Sequence, residues 1–528
     1  MSNIHILLIN FAEISEINAY MNILNQCAYN IYLNRLNTVE SYERQADRIQ
    51  RAQLNKLLSY AARTEWGTKY DFKSIHDYAT FAQRIPIQTY ETLKPFIERM
   101  INGEENILCP SKVKWYAKSS GTTNEKSKYI PVTPEILKQC HYQGGYDTIG
   151  LYLRNNPASS FFTKKGLILG GSHSPSPLNR KAHSGDLSAV LIQNLPAWVN
   201  LVRIPGKRTM LMNEWEVKIK AVVEQTWRKN VGSISGVPSW ILVLIKEVLK
   251  RAGKDTLTEV WPNLEVFFHG GISFDPYRTQ YQSLIPSKKM HYMETYNASE
   301  GFFGIQDDPY DSSLLLMLDY GIFYEFIPVN ELERTDNPKV IPLEEVRIGE
   351  NYAMVISTIG GLWRYLIGDT VRFIARHPYK IDISGRINHF INAFGEELMV
   401  YNAEKGMLMA CQESGAEVRG YTAAPLFMLD NAKGRHQWLI EFEKAPASIE
   451  AFAHLLDKAL KSLNSDYEAK RYKDFTLLLP EIIIAKDGLF LEWLKMKGKL
   501  GGQHKVPRLS NNRDMIEELL RLNELKIL

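Results

Sequence analysis

The alternation of short apolar runs with long helical patterns between residues 113 and 295 constrains the fold of this chain more than any other feature. Runs that predict strands lie at residues 113–117, 166–169, 264–268 and 291–295. Helical patterns at 215–227 and 240–251 lie between them. Strands that alternate with helices form a parallel sheet with helices on both faces. We therefore expect a doubly wound α/β fold in this part of the chain.

The pattern changes after about residue 314. Runs at 314–318 and 323–327 flank Asp319-Tyr320-Gly321, and runs at 352–357 and 362–367 flank Gly360-Gly361. Each pair of runs predicts an antiparallel hairpin. We therefore expect a β-barrel-like subdomain beside the α/β core.

The last third of the chain predicts a small α+β domain. Its helices are expected at 402–414, 448–463 and 511–522, and its strands at 436–443, 475–485 and 488–493. A hinge is expected near Gly385 and Gly395. These patterns predict a large domain over residues 21–385 and a small mobile domain over 386–528. We interpret residues 1–20 as an N-terminal extension, with Met21 as an alternative start of the native protein.

Composition excludes several classes of protein. The chain has 528 residues, more than one hydrophobic core usually contains. Its 63 basic and 59 acidic residues give a net charge of +4, so no nucleic-acid partner is expected. Its four cysteines form no C-x-x-C pair, which argues against a disulfide framework or a structural zinc site. No apolar run is long enough to span a bilayer, and we expect a cytoplasmic protein of unknown oligomeric state.

A loop of small and hydroxyl-bearing residues follows the first predicted strand. It reads Ser119-Ser120-Gly121-Thr122-Thr123, with Lys128 close behind. Small residues let backbone N–H groups approach a phosphate, while hydroxyls add donors and lysines add positive charge. A solvated turn has the same composition, so this segment alone leaves both interpretations open. The sequence contains neither a G-x-x-x-x-G-K-[ST] loop nor a G-x-S-x-G elbow.

A second candidate segment follows the strand predicted at 291–295 and contains Tyr296, Ser299 and Glu300. Ligands of open α/β sheets bind beyond the carboxyl ends of the strands. Tyr296 is suited to stack on a base, and the Glu300 carboxylate is suited to hold magnesium. An edge tyrosine and a glutamate at a helix N-terminus would explain the same residues without a ligand.

Three shorter motifs follow. Asp369, after an apolar run, is suited to accept the hydroxyls of a ribose, but Gly-Asp is also a common turn. Arg386 suits a phosphate contact or an exposed loop charge. Lys499 and Lys505 lie in a stretch whose glycines imply mobility.

The order of these motifs resembles that of the adenylate-forming superfamily. Four segments are more specific, namely 117–123, Phe267-Phe268-His269-Gly270-Gly271, Tyr324-Glu325-Phe326-Ile327-Pro328 and His504-Lys505-Val506-Pro507-Arg508. They are similar to the auxin-responsive family of acyl acid–amido synthetases, and the resemblance extends from about residue 21 to the C-terminus. It implies the adenylate-forming architecture, with a large α/β domain and a small mobile one.

The resemblance also implies a reaction. ATP and a carboxylic acid would form an acyl-adenylate and pyrophosphate, and an amine would then displace AMP to leave an amide. The expected substrates are a small carboxylic acid and an amino acid, with Mg²⁺ as the metal.

The resemblance assigns each motif a role in that reaction. The triphosphate would be surrounded by Ser119, Ser120, Gly121, Thr122, Thr123 and Lys128. The adenine slot would be lined by Gly270, Gly271 and Tyr296, with Ser299 in the same cofactor-binding segment. Glu300 would bind magnesium, Asp369 the ribose hydroxyls, and Arg386 the ribose or a phosphate. Lys505, with Lys499 as the alternative, would be the lysine that the small domain delivers, so Lys505, Glu300 and Lys128 are the expected catalytic residues.

Two other functions stay open. An acyl-CoA synthetase would use a thiol as the acceptor, although the late His-Lys-Val-Pro-Arg segment argues against it. A non-catalytic nucleotide- or acid-binding protein would not need to retain Lys128, Glu300 and Asp369 together. Local patterns do not specify which acid or which amine is used.

Overall fold

The computed structural model describes most of the chain. The described residues are 23–120, 127–170, 176–196, 199–212, 214–271, 274–332, 338–387, 390–427, 433–474, 476–497 and 506–524. The extension expected at residues 1–20 therefore lies outside the described residues.

Helices dominate the first part of the chain. They are α1 (Ile23–Glu40), α2 (Tyr42–Ala61), α3 (Glu65–Lys69), α4 (Tyr78–Arg84) and α5 (Tyr90–Ile101). Two strands and two helices follow, namely β1 (Trp115–Ser120), β2 (Ser127–Val132), α6 (Pro134–Ile136) and α7 (Tyr142–Asn155). A π-helical turn, Leu137–His141, separates α6 from α7. Helix α2 buries Leu54, Leu57, Leu58 and Ala61, and this three- and four-residue spacing explains why the segment is helical.

The predicted alternation of strands and helices occupies the next part. The strands are β3 (Lys165–Ile168), β4 (Ser176–Pro177), β5 (His183–Gly185), β6 (Arg203–Ile204), β7 (Val231–Gly236), β8 (Val266–Gly270), β9 (His291–Ala298) and β10 (Gly301–Ile305). The helices are α8 (Leu187–Asn194), α9 (Val199–Val202), α10 (Lys207–Met210), α11 (Trp215–Thr226), α12 (Pro238–Ala252), α13 (Leu257–Val260) and α14 (Asp275–Leu284).

Strands dominate the residues that follow. They are β11 (Leu314–Leu316), β12 (Ile322–Pro328), β13 (Ile341–Pro342), β14 (Asn351–Thr358), β15 (Tyr365–Arg376) and β16 (Tyr379–Arg386), with the short helix α15 (Val329–Leu332) after β12.

The C-terminal part is an α+β arrangement, as predicted. Its strands are β17 (Phe390–Ile391), β18 (Leu398–Met399), β19 (Glu417–Phe427), β20 (Gly434–Lys444) and β21 (Glu481–Ile484). Its helices are α16 (Val400–Ser414), α17 (Ile449–Leu463), α18 (Ser465–Arg471), α19 (Leu489–Met496) and α20 (Asp514–Glu524).

One twelve-stranded sheet organises residues 165–386. Its order is β13-β12-β14-β15-β16-β11-β10-β9-β8-β7-β3-β6. The neighbours from β9 to β6 run parallel, whereas those from β13 to β9 run antiparallel. The predicted α/β fold class is thus confirmed, but the antiparallel strands continue the parallel sheet instead of forming a barrel-like subdomain beside it.

One of the two predicted hairpins is correct. Strands β14 and β15 pair across Gly360-Gly361, as expected. The hairpin predicted around Asp319-Tyr320-Gly321 is wrong, because β11 pairs with β10 and β16 whereas β12 pairs with β13 and β14. The side chain of Gln50 donates to the carbonyls of Leu318 and Ile322 at 2.7 and 3.1 Å, and so occupies groups that a hairpin ladder would use.

Two predicted strands in the C-terminal part are wrong, and one strand was missed. Residues 489–493 belong to helix α19, and Gly488 is its N-cap; in the helix Leu489, Phe490 and Trp493 are buried while Leu491 is 61% exposed. That spacing is helical, and an apolar run alone does not separate a helix from a strand. The strand predicted at 475–485 is confined to β21, and β19 was not predicted.

The main sheet is covered on both faces. Along β8, the side chain of Phe267 packs into one apolar cluster with α11 and α12, while Val266 and Phe268 pack against the other cluster with α2, α5 and α7. None of the described helices has the length and apolar character that crossing a bilayer requires.

Candidate active site

The carboxyl ends of the parallel strands form the edge at which the predicted nucleotide residues meet. Gly270 ends β8, and a Cβ atom there would lie 2.2 Å from the carbonyl oxygen of Thr295 on β9. Gly271 has a φ of +83°, which an L side chain rarely adopts. Only glycine therefore allows β8 to leave the sheet so close to β9, next to Tyr296.

Tyr296 and Asp369 are joined by a buried hydrogen bond. The Tyr296 hydroxyl donates to Asp369 Oδ2 at 2.6 Å. The Tyr296 ring also packs on Phe303, with centroids 4.9 Å apart. These residues come from β9 and β15, which three strands separate in the sheet, so the contact brings the predicted base-binding and ribose-binding side chains to one place.

Arg386 lies beside the same aspartate. It ends β16 and is the residue opposite Asp369 in the antiparallel ladder between β15 and β16. Gly368, just before Asp369, has a φ of +98°, and the ladder has an irregularity just beyond, between Thr370 and Val371. An irregularity of this kind can re-aim a side chain within a strand.

Glu300 lies in the turn between β9 and β10 and is 7% exposed. Burial raises the pKa of its carboxyl group to about 7; the Lys128 ammonium opposes this rise, while the Asp369 and Glu397 carboxylates add to it. Glu300, Lys128 and Asp369 therefore lie within electrostatic reach of one another. Such an edge, with acidic groups beside a lysine, suits a ligand that carries both phosphates and a metal ion.

The hydroxyl-rich loop joins two antiparallel strands. Ser119 on β1 lies opposite Lys128 on β2, and Ser120 lies opposite Ser127. Gly121, Thr122 and Thr123, which belong to the predicted triphosphate loop, lie outside the described residues. Ser299 is in the same turn as Glu300.

Lys499 and Lys505 also lie outside the described residues, so their predicted role stays a prediction. The residues just after Lys505 pair with β19. The backbone N–H of Ala423 donates to the carbonyl of Arg508 at 2.9 Å, and the Thr422 hydroxyl donates to the carbonyl of Pro507 at 2.7 Å.

Two residues near this edge were missed by sequence reasoning. His141 faces the Tyr296–Glu300 segment, with its Nδ1 atom 3.0 Å from Asn297 Oδ1, and burial lowers the pKa of its imidazole to about 4. Glu397 comes from the C-terminal part and has a φ of +38°. The sole signal for Glu397 was its place just after Gly395 in the expected hinge, while nothing in the sequence around His141 marks it.

Comparison with known protein families gives three matches along the chain. The models described as GH3 family N-terminal domain, GH3 family central domain and GH3 family C-terminal domain match residues 35–290, 315–386 and 401–514.

Characterised relatives are similar over most of the chain. Indole-3-acetic acid-amido synthetase GH3.3 of Arabidopsis thaliana is 23% identical, over 90% of this chain and 91% of its own length. The 4-substituted benzoates-glutamate ligase GH3.12 of Arabidopsis thaliana is 22% identical, over 87% of this chain and 92% of its own.

Two solved structures share the fold. The GH3.15 acyl acid amido synthetase superposes with a TM-score of 0.58 at 18% identity, covering 94% of this chain and 96% of that one. A 2-hydroxyisobutyryl-CoA ligase, bound to its acyl-adenylate and coenzyme A in the thioesterification state, superposes with a TM-score of 0.55 at 12% identity, covering 90% and 91%.

Proposed function

Because the chain belongs to the GH3 family, we propose that it is an acyl acid–amido synthetase, which activates a carboxylic acid with ATP and transfers the acyl group to an amino acid. The observation that carries this proposal is the convergence of Tyr296, Asp369, Glu300 and Lys128 at the carboxyl edge of the sheet. Three family models, which match residues 35–290, 315–386 and 401–514, support it.

The first half-reaction activates the acid. A carboxylate oxygen of the acid would attack the α-phosphorus of ATP, and the bond from that phosphorus to the pyrophosphate oxygen would break. In this assignment Tyr296, Gly270 and Gly271 hold the base, while Asp369 accepts hydrogen bonds from the ribose hydroxyls. The hydrogen bond from Tyr296 would keep the Asp369 carboxylate oriented, so that less freedom is lost when ATP binds.

The phosphates would lie between the β1–β2 turn and Glu300. Ser119, Ser120, the residues of the turn and Lys128 would donate to phosphate oxygens, and Arg386 would contact the ribose or a phosphate. Lys505 would add positive charge from the C-terminal domain, which we assign to residues 386–528. Catalysis of such a step is mainly positioning and electrostatic stabilisation.

Magnesium is the metal expected for this site. In nucleotide sites it is commonly held by one or two carboxylates together with substrate phosphates. The described residues contain no group of three metal-ligating side chains, so Glu300 with the phosphates of ATP is the set that fits. The ion, when bound, would neutralise phosphate charge.

The second half-reaction forms the amide. The amine would attack the acyl carbon, the bond between that carbon and the phosphate oxygen would break, and AMP would leave as the nitrogen loses a proton. The adenylate would have to be kept from water between the two steps.

A two-stage assay tests this proposal. Purified protein would first be given ATP, Mg²⁺ and a panel of carboxylic acids, and acid-dependent pyrophosphate release would identify the acid. The twenty standard amino acids and coenzyme A would then be added separately, with products identified by mass spectrometry. An amide with AMP release is expected. No acid-dependent pyrophosphate release, or a thioester as the sole product, would contradict the proposal.

A further inference from the structure

Lys470 is a buried cation at the boundary between the two parts of the chain. It lies on α18, is 6% exposed, and its Nζ atom is 4.0 Å from the centre of the Trp240 ring on α12. Among the residues that the structure describes, its ammonium forms neither a hydrogen bond nor an ion pair. An attraction to an aromatic face satisfies none of its three N–H donors.

The ammonium lies at the edge of the sheet that carries the candidate active site. Gly236, the last residue of β7, is opposite His269 of β8, so Trp240, just after β7, lies at the same edge as Gly270, which ends β8. On its other side, the Lys470 side chain crosses Gly395. A Cβ atom there would lie 3.0 Å from Lys470 Cε and 3.5 Å from Nζ.

Glu397, two residues after Gly395, connects Lys470 electrostatically with Glu300 of the candidate active site. The carboxylate of Glu397 acts electrostatically on Lys470 and also on Glu300. Lys470 and the predicted metal ligand, Glu300, therefore share Glu397 as an electrostatic neighbour.

Leaving these donors unused is costly. A buried charged group without a hydrogen-bond partner destabilises a protein far more than a paired one. Four carboxylates, those of Asp466, Asp186, Glu396 and Glu397, favour the charged form of Lys470 and partly offset the burial that lowers its pKa.

These carboxylates support the charge of Lys470 from a distance without using its donors. Glu396, for example, is bound elsewhere, because its Oε1 is 2.7 Å from His436 Nε2 and its Oε2 accepts from the N–H of Phe394 at 2.7 Å.

Resting on the proposed amide synthesis, we propose that Lys470 binds the carboxylate of the acceptor amino acid and is the residue that selects amino acids over other amines. The charges of Lys470 and the four carboxylates distinguish between an anion, an amine and a zwitterion as its ligand. A simple anion would be repelled by the four carboxylates, and a simple amine would leave the donors of Lys470 unused. An amino acid zwitterion satisfies both, since its carboxylate can accept from Lys470 while its ammonium is attracted to the acidic side chains around it.

The test compares two acceptors that differ only in the carboxylate. The amino acid that gives the most amide in the panel would be compared with its own α-carboxamide. The native enzyme should show a KM at least tenfold lower for the free amino acid. Lys470→Met should raise the KM for the amino acid at least tenfold, change that for the carboxamide less than twofold, and leave acid-dependent pyrophosphate release unchanged within twofold.

Lys473→Met is the matched control. Lys473 is three residues further along and also reaches the N-terminal part, where its Nζ atom is 3.0 Å from Glu216 Oε2, but it is exposed. The Lys473→Met variant loses the same charge as Lys470→Met, and its KM should be unchanged for both the amino acid and the carboxamide. If Lys470→Met does not fold, Lys470→Gln is subject to the same comparison.

Three results would overturn this proposal alone, because each is measured against a native enzyme that releases pyrophosphate and forms amide. They are a native enzyme that uses the carboxamide as well as the amino acid, an equal loss with both acceptors in Lys470→Met, or a loss of pyrophosphate release in that variant. If the native protein releases no pyrophosphate with any acid, or forms only a thioester, the proposed function fails and this proposal fails with it.

Discussion

Two buried charged clusters in this molecule differ in how completely their hydrogen bonds are used. The first, here called the central cluster, is built around Glu325 at the middle of strand β12. Arg364 donates to Glu325 through Nε and Nη2 at 2.8–3.1 Å and to the carbonyls of Ala82 and Ile85 through Nη1 at 2.7 and 2.5 Å. Tyr78 adds a donor to the same carboxylate at 3.1 Å. At the edge of the sheet, Lys470 has an aromatic ring and distant carboxylates but no acceptor among the described residues.

This difference in hydrogen bonding distinguishes the structural ion pair of Arg364 and Glu325 from Lys470, which is placed to bind a ligand. The central cluster is closed, since its partners come from the protein itself. The edge cluster of Glu300, Glu397 and Lys470 is open, since no described residue accepts a hydrogen bond from Lys470 and burial raises the pKa of Glu300. Changes in the closed cluster should therefore reduce stability, and changes at the edge should reduce activity.

Breaking the closed cluster should have the largest effect. Arg364→Met would leave the Glu325 carboxylate buried without a cation, which typically costs about 3–5 kcal/mol of unfolding free energy. Urea unfolding followed by tryptophan fluorescence would measure the loss. Arg372→Met, which removes an exposed arginine 3.0 Å from Asp382, is the control and should cost less than about 1 kcal/mol. Equal losses in the two variants would show that the central cluster is not closed.

Removing the Tyr296–Asp369 hydrogen bond should have the second largest effect, in this case on activity. Hydrogen bonds to charged groups contribute about 1.5–3 kcal/mol, so Tyr296→Phe should lower kcat/KM for ATP by about ten- to a hundredfold in pyrophosphate release. Tyr352→Phe is the control, because its hydroxyl also donates to a carboxylate, Glu350 Oε2 at 2.9 Å, but away from this edge. An unchanged kcat/KM in Tyr296→Phe would remove this pair from the site.

The pKa of Glu300 predicts a pH effect of smaller size. Since burial raises this pKa to about 7, the carboxyl group becomes protonated as the pH falls through 7 and can no longer hold a cation. The Mg²⁺ concentration for half-maximal pyrophosphate release should rise by about tenfold per pH unit below 7. Titrations of Mg²⁺ at pH 8, 7 and 6 would measure it. Glu300→Gln should abolish the dependence, and a native enzyme whose Mg²⁺ requirement is the same at all three values would contradict the assignment.

Lys470 should have the smallest effect on stability. Lys470→Met removes a buried charge that donates no hydrogen bond to the described residues, so the unfolding free energy should change by less than about 1 kcal/mol, or increase. The same urea titration would measure it, alongside Lys473→Met. A loss similar to that of Arg364→Met would show that the edge cluster is closed as well.

The sequence predicted those features that local patterns determine. The parallel strands β3, β8 and β9 were found from apolar runs, and the candidate residues after β9 from the rule that ligands bind beyond strand ends. The wrong hairpin at Asp319-Tyr320-Gly321 shows where local patterns fail, because Gln50, far away in the sequence, binds the backbone there.

Long-range packing also explains why Lys470 was missed. Its neighbourhood, Glu468-Ala469-Lys470-Arg471, has the composition of an exposed helix. The lysine is buried because Trp240 and Gly395 close over it, and both are distant in the sequence. The candidate site was likewise predicted as a set of separate motifs, whereas the hydrogen bond between Tyr296 and Asp369 depends on how a twelve-stranded sheet brings its strands together.

Strand β9 is the last parallel strand and also the first antiparallel partner in the main sheet. The loop that soon follows it, between β10 and β11, exposes Tyr310 almost completely, at 98%. Cleavage of the chain in that loop would separate the proposed ATP-binding residues, with Tyr296 and Glu300 on one fragment and Asp369 on the other. Neither fragment alone should bind ATP. Binding should return only when the two fragments associate and rebuild the sheet, so ATP binding would report whether the whole sheet is intact.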